Sequence, residues 1–238
     1  PTATPSHTPI PTCTPTPTLE PLQATWSISQ RQVAQGNCFV IQVTTSRPCA
    51  VSGRLVGQGV ERIFRFVSRA ESDYLAIVGI EAVEAVGQRS LEVTARSQEG
   101  QAETLKTEIE VVSGAYTEYE EEALQFQPSV ARLLAPEISR PEMALLADVF
   151  AGYSAKIFWQ EPFAWPVEGP ITSAFGTRRR YQGGGLSYHA GIDIDGQTGD
   201  DVRAPAAGMV VLAEPLQVRG KAVVIDHGVG IYSGLYHL

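Results

Sequence analysis

Short stretches in which apolar and polar residues alternate recur along residues 21–113, and they restrict this region to β-structure. Side chains of a strand point to opposite faces with a period of two, so each stretch can bury one face. The clearest apolar faces are Phe39, Ile41 and Val43; Leu91, Val93 and Ala95; and Leu105, Thr107, Ile109 and Val111. About seven such stretches, separated by turn residues, predict an antiparallel β-sandwich.

The length and spacing of these stretches favour a loosely immunoglobulin-like sandwich. None of its residues forms a pattern typical of a catalytic site. The sandwich could be a spacer or a binding module, and fold alone does not distinguish the two.

Composition supports a mainly β protein and excludes one class of partner. An apolar share of 43% can build packed cores, and 22 Gly with 16 Pro favour turns over long helices. The net charge of −8 argues against a nucleic-acid partner, which needs a basic surface. Since no apolar run reaches about 18 residues, we expect no transmembrane segment in this chain.

Residues 1–20 are rich in Thr and Pro, which favours extended polyproline conformations. Such a tract suits a stalk that holds a domain away from a surface, or a plain linker. The chain begins at Pro1 and ends at Leu238 within an expected strand. We therefore expect an internal piece of a longer protein, with any export signal lying upstream of residue 1.

Residues 114–163 are predicted to form a connector with a short helix. Ser139 and Glu142 have the spacing of a capping box, and Pro141 suits the first helical turn. Apolar residues then recur at helical spacing, which predicts an amphipathic helix over 140–151. Its packed face would contain Met143, Leu146 and Phe150.

Residues 164–238 are Gly-rich and are predicted to form a C-terminal antiparallel β domain. Three strands are expected at 209–213, 222–226 and 231–236, with Gly-containing turns before and between them.

The three cysteines, Cys13, Cys38 and Cys49, are too few for a disulfide framework. In a simple hairpin Cys49 would face about Thr44, which leaves Cys38 about 17 Å away. A disulfide needs Cα atoms within about 7 Å, so we expect free thiols.

The chain contains four histidines, His7, His189, His227 and His237. His189 precedes Asp193 by four residues, and imidazole with carboxylate is a ligand pair that zinc accepts. A straight strand would separate the two by about 13 Å, so the segment must bend, and Gly191 makes a bend easy. From these residues alone, a metal site and an ordinary polar loop both remain open.

Further motifs surround this pair in a distinctive order. They are Ile171–Arg179, Val202–Gly208, Val224–Gly230 and Tyr236-His237-Leu238. The series resembles the lysostaphin/LytM family of zinc metallopeptidases, which is peptidase family twenty-three and has the duplicated hybrid motif fold. The resemblance extends from about Trp165 to Leu238.

The resemblance implies that His189 and Asp193 bind Zn²⁺ and that His237 is catalytic, lying beside the zinc-bound water. It implies a structural role for His227. The third zinc ligand would belong to a His-x-His motif beyond Leu238, so the peptidase domain is expected to be incomplete and this chain inactive alone.

The implied function of the parent protein is zinc-dependent hydrolysis of peptide bonds in bacterial peptidoglycan through a metal-activated water. The implied location is extracellular or at the bacterial cell surface. A non-catalytic LytM-like domain that binds cell wall or activates another wall hydrolase is the alternative. Some relatives have lost zinc ligands, whereas His189, Asp193 and His237 are all present here. Their presence favours catalysis.

Overall fold

A computed structural model describes residues 19–116, 132–133, 135–180 and 186–238. Residues 1–18 of the Thr/Pro tract, with His7 and Cys13, lie outside the described residues. The interpretation of this tract as a stalk or linker stays a prediction. The division of the chain into residues 1–20, 21–113, 114–163 and 164–238 also stays a prediction.

Two β-sheets formed by residues 24–112 face each other as a sandwich. The first sheet has the order β1-β3-β7-β6, with β1 Ala24–Ile28, β3 Cys38–Thr45, β6 Val67–Ala70 and β7 Asp73–Gly79. The second has the order β2-β9-β8-β4-β5, with β2 Gln32–Ala34, β4 Cys49–Gly57, β5 Val60–Arg65, β8 Gly87–Ser97 and β9 Ala102–Val112. The prediction of a mainly β protein with an N-terminal sandwich is confirmed.

The predicted alternation is observed in the core between the sheets. Phe39, Ile41 and Val43 of β3 are fully buried, and Leu91 and Val93 of β8 face them from the second sheet. Burial of each such side chain stabilises the fold by about 1.5–3 kcal/mol. The core therefore joins strands that are far apart in the sequence.

The strand order of the sandwich has a recognisable topology. The orders β1-β3-β7-β6 and β9-β8-β4 correspond to the A-B-E-D and G-F-C sheets of immunoglobulin sandwiches. The short strand β2 pairs in parallel with β9, with Val33 opposite Val111. Local alternation predicted the strands, and the tertiary pairing determined this order.

Cys38 and Cys49, the two cysteines among the described residues, are free, as expected, but the geometry differs from the assumed hairpin. Cys38 begins β3 in one sheet, and Cys49 begins β4 in the other sheet. Cys49 lies opposite Ser97 of β8 instead of Thr44. The chain crosses between sheets at residues 46–48, so no β3–β4 hairpin forms.

The connector helix begins earlier than predicted. The helix α1 spans Pro136–Ala151, so Pro136 occupies its first turn and Pro141 lies inside it. Ser139 does not cap the helix; its hydroxyl donates to the carbonyl of Ala135, one turn earlier. The capping-box prediction was wrong because the carboxylate of Glu142 binds a distant loop instead.

The packed face of α1 also differs from the prediction. Leu146 is buried, as expected, and Glu142 is buried beside it. Met143 is 58% exposed and Phe150 is 42% exposed, although the Phe150 ring contacts Tyr232 edge to face. Among the described residues, α1 included, no helix has the length and apolar character needed to cross a membrane.

The C-terminal region consists of small antiparallel sheets. One sheet has the order β14-β15-β16, with β14 Met209–Leu216, β15 Gly220–Gly228 and β16 Ile231–Leu235. These strands match the three predicted ones within a few residues. Two strand pairs precede them: β10 Ile171–Ser173 with β13 Asp193–Ile194, and β11 Arg178–Arg180 with β12 Leu186–Tyr188.

An apolar cluster joins the sandwich to the C-terminal region. Val67 and Leu75, on the outer face of the first sheet, are buried together with Val229 of the β15–β16 turn. Partly buried residues complete the cluster: Val40, Ile77, Tyr153, Ile157, Trp159 and Ile231. The guanidinium of Arg65 lies 5.1 Å from the ring centroid of Tyr153 at the same contact.

Candidate metal centre

Two short strand pairs bring His189 and Asp193 together. His189 follows β12, whose Tyr188 lies opposite Arg178 of β11. Asp193 begins β13 and lies opposite Ser173 of β10. The chain bends between β12 and β13, so the two side chains meet although they are four residues apart.

The His189 Nε2 and Asp193 Oδ1 atoms are 3.2 Å apart. The imidazole side chain is 16% exposed and the carboxylate side chain is 54% exposed. The histidine is therefore held by protein on most sides, while the aspartate opens to solvent. A solvent-borne cation could reach both groups from the aspartate side.

The opposite side of the His189 ring is anchored to the backbone. Nδ1 lies 3.1 Å from the carbonyl oxygen of Ala174 and 3.1 Å from the hydroxyl of Ser173. Because a carbonyl oxygen only accepts, the bond to Ala174 places a proton on Nδ1. A neutral ring then presents the Nε2 lone pair to Asp193.

This tautomer makes the pair suited to a metal ion. A lone pair and a carboxylate oxygen 3.2 Å apart repel each other unless a proton or a cation lies between them. Two ligand atoms of a tetrahedral zinc with bonds of about 2.0–2.1 Å are separated by about 3.3 Å. A histidine whose other nitrogen binds a carbonyl is also typical of zinc ligands.

The donor set that the structure describes is nevertheless incomplete. Among the described residues, no three His, Cys, Asp or Glu side chains form a group that could hold a metal ion. His189 and Asp193 thus fit zinc as two of its ligands. Their assigned roles stay predictions.

The bend between His189 and Asp193 does not depend on glycine. Gly191 has no positive φ, and a Cβ built on it would meet no described atom within 4 Å. The strand pairs on either side determine the bend. The prediction that Gly191 eases the turn therefore identified the right segment but not its cause.

His237 lies at another hairpin. Its backbone N–H donates to the carbonyl of Arg219, and its Cα and Nδ1 lie 3.5 Å from the position of a Cβ on Gly220. It follows β16, beside the β14–β15 turn, and has a φ of 60°. Within the part of the chain that the structure describes, His237 does not join His189 and Asp193 in one metal-binding group, and its catalytic role stays a prediction.

His227 has the structural environment that was expected. Its side chain is fully buried, and its Nδ1 and Nε2 lie 2.9 Å from the Ala207 carbonyl and 2.8 Å from the Ser233 hydroxyl. The Phe163 ring packs edge to face on the imidazole. With both nitrogens bonded to protein, this histidine has no free atom for a metal.

The partners of the His189 ring were not identified from the sequence. Ser173 and Ala174 lie in the Ile171–Arg179 motif, which carried the resemblance but no assigned role. Their hydrogen bonds to Nδ1 in the folded protein show that they lie behind the imidazole. The position of this motif upstream of His189 was the one signal in the sequence that pointed to them.

The structure thus defines a mainly β protein in which a two-sheet sandwich packs on a C-terminal region carrying a histidine–aspartate pair. Residues 187–238 match Peptidase family M23. The match covers less than a quarter of the chain and includes His189, Asp193 and His237. It supports a peptidase in this segment. No curated protein matches the chain.

Solved structures similar to this chain share only limited parts of it. Two are structures of superoxide reductase (neelaredoxin) from Ignicoccus hospitalis, one of them a substituted form. The substituted form is 14% identical, covers 37% of this chain and 80% of its own, and has a TM-score of 0.30. The other is 12% identical, covers 39% and 81%, and has a TM-score of 0.27. An engineered protein is 12% identical over 38% of this chain and 20% of its own, with a TM-score of 0.31.

Proposed function

We propose that this protein is a lysostaphin/LytM-type zinc endopeptidase that hydrolyses peptide bonds of bacterial peptidoglycan outside the cell. The observation that carries the proposal is the 3.2 Å approach of His189 Nε2 to Asp193 Oδ1 inside the segment that matches a peptidase family. His189 and Asp193 would hold Zn²⁺, and His237 would help to orient the attacking water.

The residues around the pair support this assignment. The Ala174 carbonyl and the Ser173 hydroxyl orient the imidazole so that Nε2 faces the metal position. The exposed Asp193 carboxylate leaves one side of that position open, as a site that admits an extended peptide requires. Zinc at such a site lowers the pKa of water and polarises a peptide carbonyl.

Removing one zinc ligand at a time from the full-length protein tests the proposal. His189→Ala and Asp193→Ala should each weaken zinc binding by more than about 100-fold, since even residues behind a ligand contribute about 10–100-fold. Cleavage of a pentaglycine or purified cell-wall substrate should fall below detection. Zinc content by elemental analysis and release of new amino termini measure the two effects.

His7→Ala is the matched control, because His7 lies in the Thr/Pro tract and outside the residues that match a peptidase family. It should leave zinc content and cleavage unchanged. Retention of zinc by His189→Ala would show the ligand assignment to be wrong. A wild-type protein that binds cell wall or stimulates another hydrolase without cleaving would support the non-catalytic alternative.

The 238-residue chain by itself should bind zinc weakly and should show no measurable hydrolysis. The described residues bring together only two donors, whereas catalytic zinc sites have three protein ligands. The same two assays check this expectation. Clear zinc-dependent cleavage by this chain would contradict it.

A further inference from the structure

We propose that the β-sandwich is a positioning element for the His189–Asp193 pair and acts on it through Tyr116 and Phe175. This inference rests on the proposed zinc site. It gives the sandwich a role beyond that of a spacer or a wall-binding module.

The contact begins at the turn between β2 and β3. Gly36 lies in this turn with a φ of 77°. A Cβ placed on it would overlap the Tyr116 hydroxyl oxygen and would lie 2.5 Å from Cε1 of Phe175. The turn therefore touches both aromatic side chains directly, and only glycine leaves room for them.

Tyr116 fastens the turn to the C-terminal region. Its hydroxyl donates to the carbonyl of Gln35, which is buried beside Gly36. Its ring meets Phe175 edge to face, with centroids 5.8 Å apart. A Cβ on Gly176 would overlap the same tyrosine ring. Tyr116 thus fills the space between the sandwich and residues 175–176.

Residues 173–177, which we name the support loop, connect this contact to His189. The Gly176 N–H donates to the His189 carbonyl at 2.8 Å, and the His189 N–H donates to the Thr177 carbonyl at 2.8 Å. The support loop also supplies both partners of Nδ1, the Ser173 hydroxyl and the Ala174 carbonyl. The backbone and the ring of His189 are therefore both held by one loop that rests on the sandwich.

A second contact keeps the sandwich in place. The outer face of its first sheet shares a buried apolar cluster with the β15–β16 turn, centred on Val67, Leu75 and Val229. Two separated contacts restrain both position and rotation of the sandwich. The support loop is consequently packed against a fixed surface.

Paired glycine variants of the full-length protein test the inference. Gly36→Ala places a methyl group against Tyr116 and Phe175. Gly100→Ala is the matched control, because Gly100 has a similar φ of 86° and no described atom within 4 Å of an added Cβ. Both variants place an alanine at a positive φ in the sandwich, and only the first disturbs the contact.

We expect Gly36→Ala to weaken zinc binding about 10-fold, within the range seen when groups behind a metal ligand are altered. With Co²⁺ in place of Zn²⁺, its visible absorption spectrum should also change, because that spectrum reports ligand geometry. Gly100→Ala should change neither reading. Equal zinc affinity in both glycine variants, with the sandwich folded by circular dichroism, would overturn the proposal.

Variants of Tyr116 keep the test decisive if Gly36→Ala does not fold. Tyr116→Phe retains the ring between Gly36 and Gly176 and loses only the hydrogen bond to Gln35, so its zinc affinity should fall less than that of Tyr116→Ala, which should fall about 10-fold. Equal affinities for Tyr116→Ala and the wild type would refute the positioning role. If the His189→Ala protein keeps its zinc, the assignment of His189 as a zinc ligand is wrong. This outcome differs from equal zinc affinities of Tyr116→Ala and the wild type, which would refute only the role of the sandwich.

Discussion

At the scale of single residues, His189 and His227 differ in what their ring nitrogens contact. Both nitrogens of His227 bond to protein atoms inside a buried core. Only Nδ1 of His189 is bonded to the backbone, and its Nε2 faces the exposed carboxylate of Asp193. One ring is therefore enclosed by the fold, whereas the other has one nitrogen at a solvent-exposed carboxylate.

Replacement of His227 by Ala should lower the free energy of unfolding by about 2–4 kcal/mol. The substitution leaves a cavity beside Phe163 and removes the partner of the Ala207 carbonyl and the Ser233 hydroxyl. His189→Ala should change the free energy of unfolding by less than about 1 kcal/mol. Urea unfolding of both variants measures the difference, and a smaller loss for His227→Ala than for His189→Ala would contradict these roles.

At the scale of elements, the Glu142 carboxylate links α1 to the β14–β15 hairpin. Glu142 accepts from the Val218 N–H at 2.8 Å and from the Arg219 guanidinium at 2.7 Å. Its side chain is 5% exposed, whereas that of Arg219 is 32% exposed. Both bonds are part-buried, so the buried carboxylate depends on these two partners to offset its loss of hydration.

Glu142→Ala should destabilise the protein by about 2 kcal/mol, since it leaves the Val218 N–H and the Arg219 charge without their partner. The control is Glu137→Ala, an exposed residue of the same helix, with an expected cost below about 0.5 kcal/mol. Denaturant unfolding followed by circular dichroism measures both. Equal losses in the two variants would show that the junction is unimportant.

At the scale of the whole molecule, the sandwich and the C-terminal region share buried contacts that include several tyrosines. Burial raises the pKa of Tyr116, Tyr153, Tyr232 and Tyr236 above the usual value of about 10. Nearby Arg65 and Arg219 counteract this effect at Tyr153 and Tyr236 without cancelling it. These tyrosines therefore contribute to the stability of the folded protein as long as their hydroxyls are protonated.

The protein should lose stability as the pH rises above about 10. The unfolded chain then releases phenolic protons while the folded protein still holds them, so the folded state binds more protons and its stability decreases with pH. Tyr153→Phe and Tyr236→Phe should each make this decrease less steep. Urea unfolding at about pH 8 to 11, a range that spans the ordinary phenol pKa, measures the slopes. Slopes equal to that of the wild type would contradict the prediction.

The sequence determined the strands of this protein and the chemistry of its candidate site. Period-two alternation is a local property, so β3, β8 and β9 were predictable without their partners. The His189 and Asp193 motif was also readable, because ligand type and spacing lie within five consecutive residues. The approximate positions of β14, β15 and β16 followed from apolar runs and turn residues.

Only the tertiary structure decided which of these parts meet. The capping role of Glu142, the β3–β4 hairpin and the packed face of α1 were predicted from near neighbours, and partners distant in the sequence replaced those neighbours. The anchoring of His189 by Ser173 and Ala174, and the contact of Gly36 with Tyr116 and Phe175, join segments at least 15 residues apart. Such contacts depend on how sheets stack and loops pack, which local periodicity does not encode.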